Sequence, residues 1–131
     1  MAFVVGSHTG GTPSDRIATE LFDISTMTWS VKTPYQFGKR INGARSVYHN
    51  YKFLTFGGFG SSGKLNRIDS FDPSKNTWSP VGELKSRRNF VSVIEKNNEF
   101  LVIGALFIDG ENRSEKCVFK EENLVCEYQS S

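Results

Sequence analysis

The chain has 131 residues, the length of one ordinary domain, and its 37% hydrophobic and 23% charged content excludes global disorder. Sixteen basic against 14 acidic residues is a balance that argues against nucleic acid or an anionic membrane surface as partner. Apolar runs such as 100–103 are far shorter than the ~20 residues needed to span a bilayer, so no membrane insertion is expected.

In chain order, residues 1–36 open on Met-Ala-Phe-Val-Val-Gly, which lacks the basic start and long apolar stretch of a secretory signal. The same segment carries Phe22-Asp23 and Thr28-Trp29-Ser30, and both groups return 49 residues later as Phe71-Asp72 and Thr77-Trp78-Ser79. From Arg40 onward two copies of one pattern follow at a spacing of 47 residues. Arg40 recurs as Arg87, Asn42 as Asn89, Asn50 as Asn97, Phe53-Leu54 as Phe100-Leu101, Gly57 as Gly104, Gly63 as Gly110 and Asn76 as Asn123. A period of this size marks stacked modules. The pattern divides the chain into three units, 1–36, 37–85 and 86–131.

Each full unit reads as four short strands. Residues 43–48 form the first, and His49-Asn50 suits a tight hairpin turn, because Asn tolerates the left-handed backbone such turns need. The next unit gives 90–95 and a turn at Asn97. The near-continuous apolar runs 53–56 and 100–103 suit strands covered on both faces. Gly57-Gly58 and Gly104-Ala105 end these runs, and polar, Gly-rich loops follow. A third strand spans 67–72, the segment Pro73-Ser74-Lys75-Asn76 turns the chain, and a fourth strand holds Thr77-Trp78-Ser79. Four antiparallel strands per repeat make one propeller blade, and no segment carries a helical period with caps.

These residues resemble kelch repeats. That family opens its first strand with a basic residue, ends the second with a double glycine, places an aromatic before Asp in the third and a Trp in the fourth. The middle unit supplies Arg40, Gly57-Gly58, Phe71-Asp72 and Trp78. The first supplies Gly6, Phe22-Asp23 and Trp29. The last keeps Arg87-Arg88 and Gly104, with Ala105 for the second glycine, Val118-Phe119 for the aromatic-Asp pair and Val125 for the Trp. The resemblance implies an all-β fold of kelch-type β-propeller blades in an incomplete ring: strands two to four of one blade, one complete blade, and one complete but degenerate blade. Closed propellers have four to eight blades, so the remaining blades are expected from a parent chain or from self-association. Trp29 and Trp78 are expected to pack between adjacent blades.

Cys117 and Cys126 align with Ser70 and Ser79 at the 47-residue spacing. A two-residue turn at Glu121-Glu122 would set the two cysteines directly opposite each other, within reach of a disulfide. A disulfide would imply an oxidising, extracellular setting rather than the cytoplasm. The other reading is two unrelated small residues in an outer hairpin. Asn112-Arg113-Ser114 is an N-glycosylation sequon.

No catalytic constellation is legible, and no cofactor or metal site is expected. His8 and His49 fall in loops that the blade pattern sends to opposite faces. The resemblance implies binding of a protein or peptide on the face made by the second-to-third loops and the connections between blades. Tyr35, Phe37, Phe59 and Phe107 are the aromatics there, and Arg40, Lys64, Arg87, Arg88 and Arg113 make it basic. Alternatively, the aromatics plug gaps between blades and the basic residues are merely solvated. The function expected is thus a non-catalytic interaction module belonging to a larger propeller. The alternatives are part of a propeller enzyme acting on sugars, of the galactose-oxidase or sialic-acid mutarotase kind, and an extracellular binding domain.

Overall fold

Every regular element among the described residues is a β-strand. The structure is a computed structural model that describes residues 2–5, 17–35, 43–60, 63–105, 107–109 and 112–130. The first blade has strands β1 (Ala2–Val5), β2 (Ile17–Asp23) and β3 (Thr28–Tyr35) in one antiparallel sheet. The second has β4 (Arg45–His49), β5 (Lys52–Phe56), a small ribbon of β6 (Phe59–Gly60) and β7 (Gly63–Lys64), then β8 (Arg67–Asp72) and β9 (Thr77–Glu83). The third has β10 (Arg87–Asn89), β11 (Ser92–Lys96), β12 (Glu99–Ile103), β13 (Phe107–Asp109), β14 (Glu115–Lys120) and β15 (Asn123–Tyr128). Asn50-Tyr51 and Asn97-Asn98 close the first hairpins of these two blades with all four residues at positive φ, as the Asn positions suggest.

The second and third blades form one eight-stranded sheet, in the order β11-β12-β14-β15-β9-β8-β5-β4. Their outer strands meet in a short parallel pairing, Gly82 beside Leu124 and Glu83 beside Val125. A Cβ on Gly82 would overlap the Leu124 carbonyl oxygen, so this crossing requires glycine. The first strands β4 and β11 also approach each other, and the sheet nearly closes on itself.

The middle blade is covered on both sides, as its apolar β5 run predicts. Alternation along β5 sends Phe53 toward the first blade, where it joins Leu21, Tyr35, Leu65, Phe71 and Trp78 in one core. Leu54 and Phe56 point the other way, into a second core with Ile68, Phe100, Val102, Cys117 and Cys126. Trp78 fills the gap between the first two blades, and its Nε1–H donates to Thr19 Oγ1 at 3.2 Å and to the Thr33 carbonyl at 3.1 Å. Trp29 holds the equivalent place on the first blade but is 59% exposed, because no described blade lies on its far side. The expectation that both tryptophans pack between blades is met by Trp78 alone.

Asp72 closes the turn between β8 and β9. Its Oδ1 accepts from the Ser74 backbone N–H at 2.9 Å and hydroxyl at 2.7 Å, and these bonds hold its carboxyl below the usual carboxylate range. Asp23 and Ser25 repeat the arrangement in the first blade.

In the third blade the alignment shifts. Phe53, Phe71 and Trp78 stand side by side across β5, β8 and β9. The residues side by side across β12, β14 and β15 are Phe100, Cys117 and Cys126. The cysteines therefore occupy the places of the aromatic and the Trp, not those of Ser70 and Ser79, and Val118-Phe119 and Val125 are not the counterparts of Phe71-Asp72 and Trp78. They are disulfide-bonded as directly opposed residues, with Cα atoms 4.0 Å apart. The bond lies in the outer hairpin of β14 and β15, with both cysteines buried in the core between the second and third blades. A cross-strand covalent bond stands where the other blades use ring pairs, Phe71–Trp78 at 5.2 Å and Phe22–Trp29 at 5.0 Å.

Two buried carboxylates anchor the connections between blades. Asp69 lies beside Thr55, and Glu115 lies beside Val102, the repeat counterpart of Thr55. Asp69 accepts from the Tyr35 hydroxyl at 2.6 Å and pairs with Arg67 at 2.8 Å. Burial, then the Asp69 bond, push the Tyr35 hydroxyl far above its ordinary value. Glu115 accepts from the Lys85 N–H, from the Ser86 N–H at 3.3 Å and from Arg88 Nε at 2.9 Å, with both charged side chains fully buried. Arg88 also donates to the Gly104 carbonyl at 3.3 Å and to the Arg113 carbonyl.

Three outcomes check these contacts in the full chain. Glu115→Ala leaves Arg88 charged and buried, and costs about 3–5 kcal/mol in urea unfolding, whereas the paired change Arg88→Met with Glu115→Leu costs less. Reduction, or Cys117→Ser with Cys126→Ser, removes a short loop closure, costing about 2–3 kcal/mol, and reduction raises the intact mass by two hydrogens. The Tyr35 effect is an alkaline one. A folded-state pKa raised above the ordinary 10.0 gives stability that is full below pH 10.0 and is lost as pH rises further. Tyr35→Phe is less stable than wild type at neutral pH, and the gap narrows above pH 10.0.

Candidate functional site

Three backbone segments converge on the loop face. The loop between β5 and β8 and the connection from β9 to β10 are bound together by Gly58 N–H to the Arg88 carbonyl at 2.7 Å and by Arg88 N–H to the Leu65 carbonyl at 3.0 Å. Gly57 has φ +63, and a Cβ there would lie 2.5 Å from the Arg88 carbonyl oxygen. The double glycine therefore exists to let the next connection lie against this loop. The third segment enters through Gly43, whose carbonyl accepts from Phe90 N–H at 2.5 Å.

Around this junction Phe59 is 43% exposed, Phe90 is 57% exposed and Arg87 is exposed. Phe90 has φ 52, a left-handed backbone that a bulky residue adopts only at a cost. Phe90, expected inside the first strand of its blade, instead stands just before β11, which begins at Ser92. Its repeat counterpart is Gly43, also left-handed at φ +66. A glycine in one copy facing a phenylalanine in the next was the available sign that Phe90 is special. The Phe90 ring lies against Gly43, where an added Cβ would be 3.0 Å from it.

The other expected binding residues are distributed as follows. Tyr35 and Arg88 are buried and engaged with Asp69 and Glu115, so they hold the blades together rather than face a ligand. Arg113 is exposed, its guanidinium 5.1 Å from the Tyr128 ring centre and its Nε donating to the Gln129 carbonyl at 3.1 Å. Lys64 and Phe107 lie on β7 and β13, opposite Phe59 and Asn89. Phe37, Arg40 and His8 lie outside the described residues.

The opposite, turn-side face holds a wedge of about 690 Å³ between the second and third blades. Lys52, Asp72 and Lys75 line one wall, and Glu121 and Glu122 the other. His49 lies at its inner end, with Nδ1 2.6 Å from Glu95 Oε1 and its ring stacked 5.6 Å from Phe119. His49 thus ties β4 to β11. Among the described residues no three His, Cys, Asp or Glu side chains are grouped to hold a metal ion.

Comparison with known proteins agrees with this arrangement. The family model described as the Kelch motif matches residues 40–85, which contain β4 to β9. Among solved structures the chain is similar to YjhT, a kelch-type propeller, at 18% sequence identity and a TM-score of 0.58. The match covers 69% of this chain and 28% of YjhT, so the chain spans well under half of that protein's length. With four-stranded blades, the double glycine at its structural post and the matched motif in the middle, this is an all-β chain of β-propeller blades whose residues 40–85 match the Kelch motif.

Proposed function

We propose that the chain is a non-catalytic binding module that takes a protein or peptide on its loop face through Phe59, Arg87 and Phe90. Kelch repeats generally mediate protein interactions. The observation that carries the reading is Phe90. Its ring is more than half exposed on a left-handed backbone, a conformation that its counterpart Gly43 adopts without a side chain. Residues held in costly conformations gather at functional sites because the surrounding structure sustains them. Exposed aromatics beside an arginine are the residue types that anchor interfaces. The ribbon of β6 and β7 and the paired β10 and β13 give these side chains a rigid base.

The module works within a larger ring. Trp29 and Val31 are exposed on the first blade, and Ile94 and Ile103 on the third, so each end of the stack offers apolar surface for a further blade.

Selection of peptides from a displayed library against the full chain tests the proposal. Phe59→Ala and Arg87→Ala each weaken the selected ligands about tenfold, as anchor residues do. Phe90→Gly weakens them as much, yet stabilises the chain by about 0.5–1 kcal/mol by relieving the left-handed strain. Ligands that bind the triple variant as tightly as wild type refute the reading.

A further inference from the structure

We infer that Asn112 is an N-glycosylation site. The sequon Asn112-Arg113-Ser114 is one of sequence alone, and a chain with this many asparagines would carry one by chance. Two structural observations give it weight. Asn112 and Arg113 are exposed, in a segment outside any strand. The same unit carries the Cys117–Cys126 disulfide, and structural disulfides form and persist in oxidising compartments such as the one where N-glycans are attached.

The local geometry is also permissive. Arg113 is turned back over the Tyr128 ring and bonded to the Gln129 carbonyl, and the Ser114 carbonyl accepts from Gln129 N–H at 2.8 Å. The sequon is thus tethered at its second and third residues against the end of β15. A glycan on Asn112 requires none of these contacts to break. The donor is a lipid-pyrophosphate-linked oligosaccharide. Its anomeric carbon–oxygen bond to pyrophosphate breaks, a carbon–nitrogen bond to Asn112 Nδ2 forms, the amide gives up one proton, and the lipid pyrophosphate leaves.

A glycan there would stand on the third blade's second-to-third loop, on the same face as Phe59 and Phe90. It would keep a partner off the Arg113 sector and leave the Gly43–Phe90 junction as the open part of that face. The inference is independent of the peptide-binding proposal, since the modification is read without any ligand.

The test is expression of the full chain behind a cleavable leader in animal cells, with peptide mapping of both medium and lysate under non-reducing conditions. The expected result is a glycan on the Asn112 peptide that peptide-N-glycosidase removes, leaving aspartate. Asn112→Gln and Ser114→Ala should each abolish it. Chain that has formed the Cys117–Cys126 bond but carries unmodified Asn112 overturns the inference. So does a glycan that survives Asn112→Gln. Mapping the lysate as well means that a chain retained in the cell still gives an answer.

Discussion

A β-sheet that is apolar on both faces has to be covered on both, and the middle blade imposes that requirement on the whole chain. Phe53, Phe71 and Trp78 need the first blade, while Leu54, Phe56 and Ile68 need the third. Dispersion and water exclusion do not fix the angle at which blades meet. Directional contacts do so here: the Trp78 indole bonded to Thr19 and Thr33, the His49–Glu95 pair, and the Gly82–Leu124 crossing. The loop-face junction is a by-product of this stacking, because each connection must cross from one blade's outer strand to the next blade's inner one.

The carboxylates at Asp69 and Glu115 solve a second problem in that crossing. A connection dipping into the blade carries backbone N–H groups away from water, and an unpaired one would be costly. In the third blade Glu115 satisfies the Lys85 and Ser86 amides, and Arg88 neutralises its charge. In the second blade a phenol does part of the work, since Tyr35 bonds Asp69 and its ring also packs edge-on against Trp78 at 5.0 Å. Among the described residues no buried side-chain polar atom lacks a partner.

Much of this was legible in the residues. The repeat located β5 and β12, the Asn turns and the opposed cysteines, because hydrophobic alternation and left-handed turn residues act locally. The roles of Arg88 and Tyr35 were not legible. A basic or aromatic residue in a connecting segment looks the same whether it faces solvent or turns inward, and the partner carboxylates lie 27 and 34 residues away. The displaced alignment of the cysteines was hidden for another reason. The change in length falls in the loops of the third blade, where sequence similarity has no strand period to hold it in register. Phe90 lay between these cases, visible only by asking what its glycine counterpart demands.

The exchange of an aromatic pair for a disulfide also bears on the order of assembly. Phe71 and Trp78 are secured only when the first blade closes over them. Cys117 and Cys126 can be joined within their own hairpin, before any neighbour arrives. Once the second blade docks, both sulfur-bearing residues are sealed in the core shared with Phe56 and Phe100, beyond the reach of an oxidant in solution. Oxidation therefore comes before docking or waits for the blades to part.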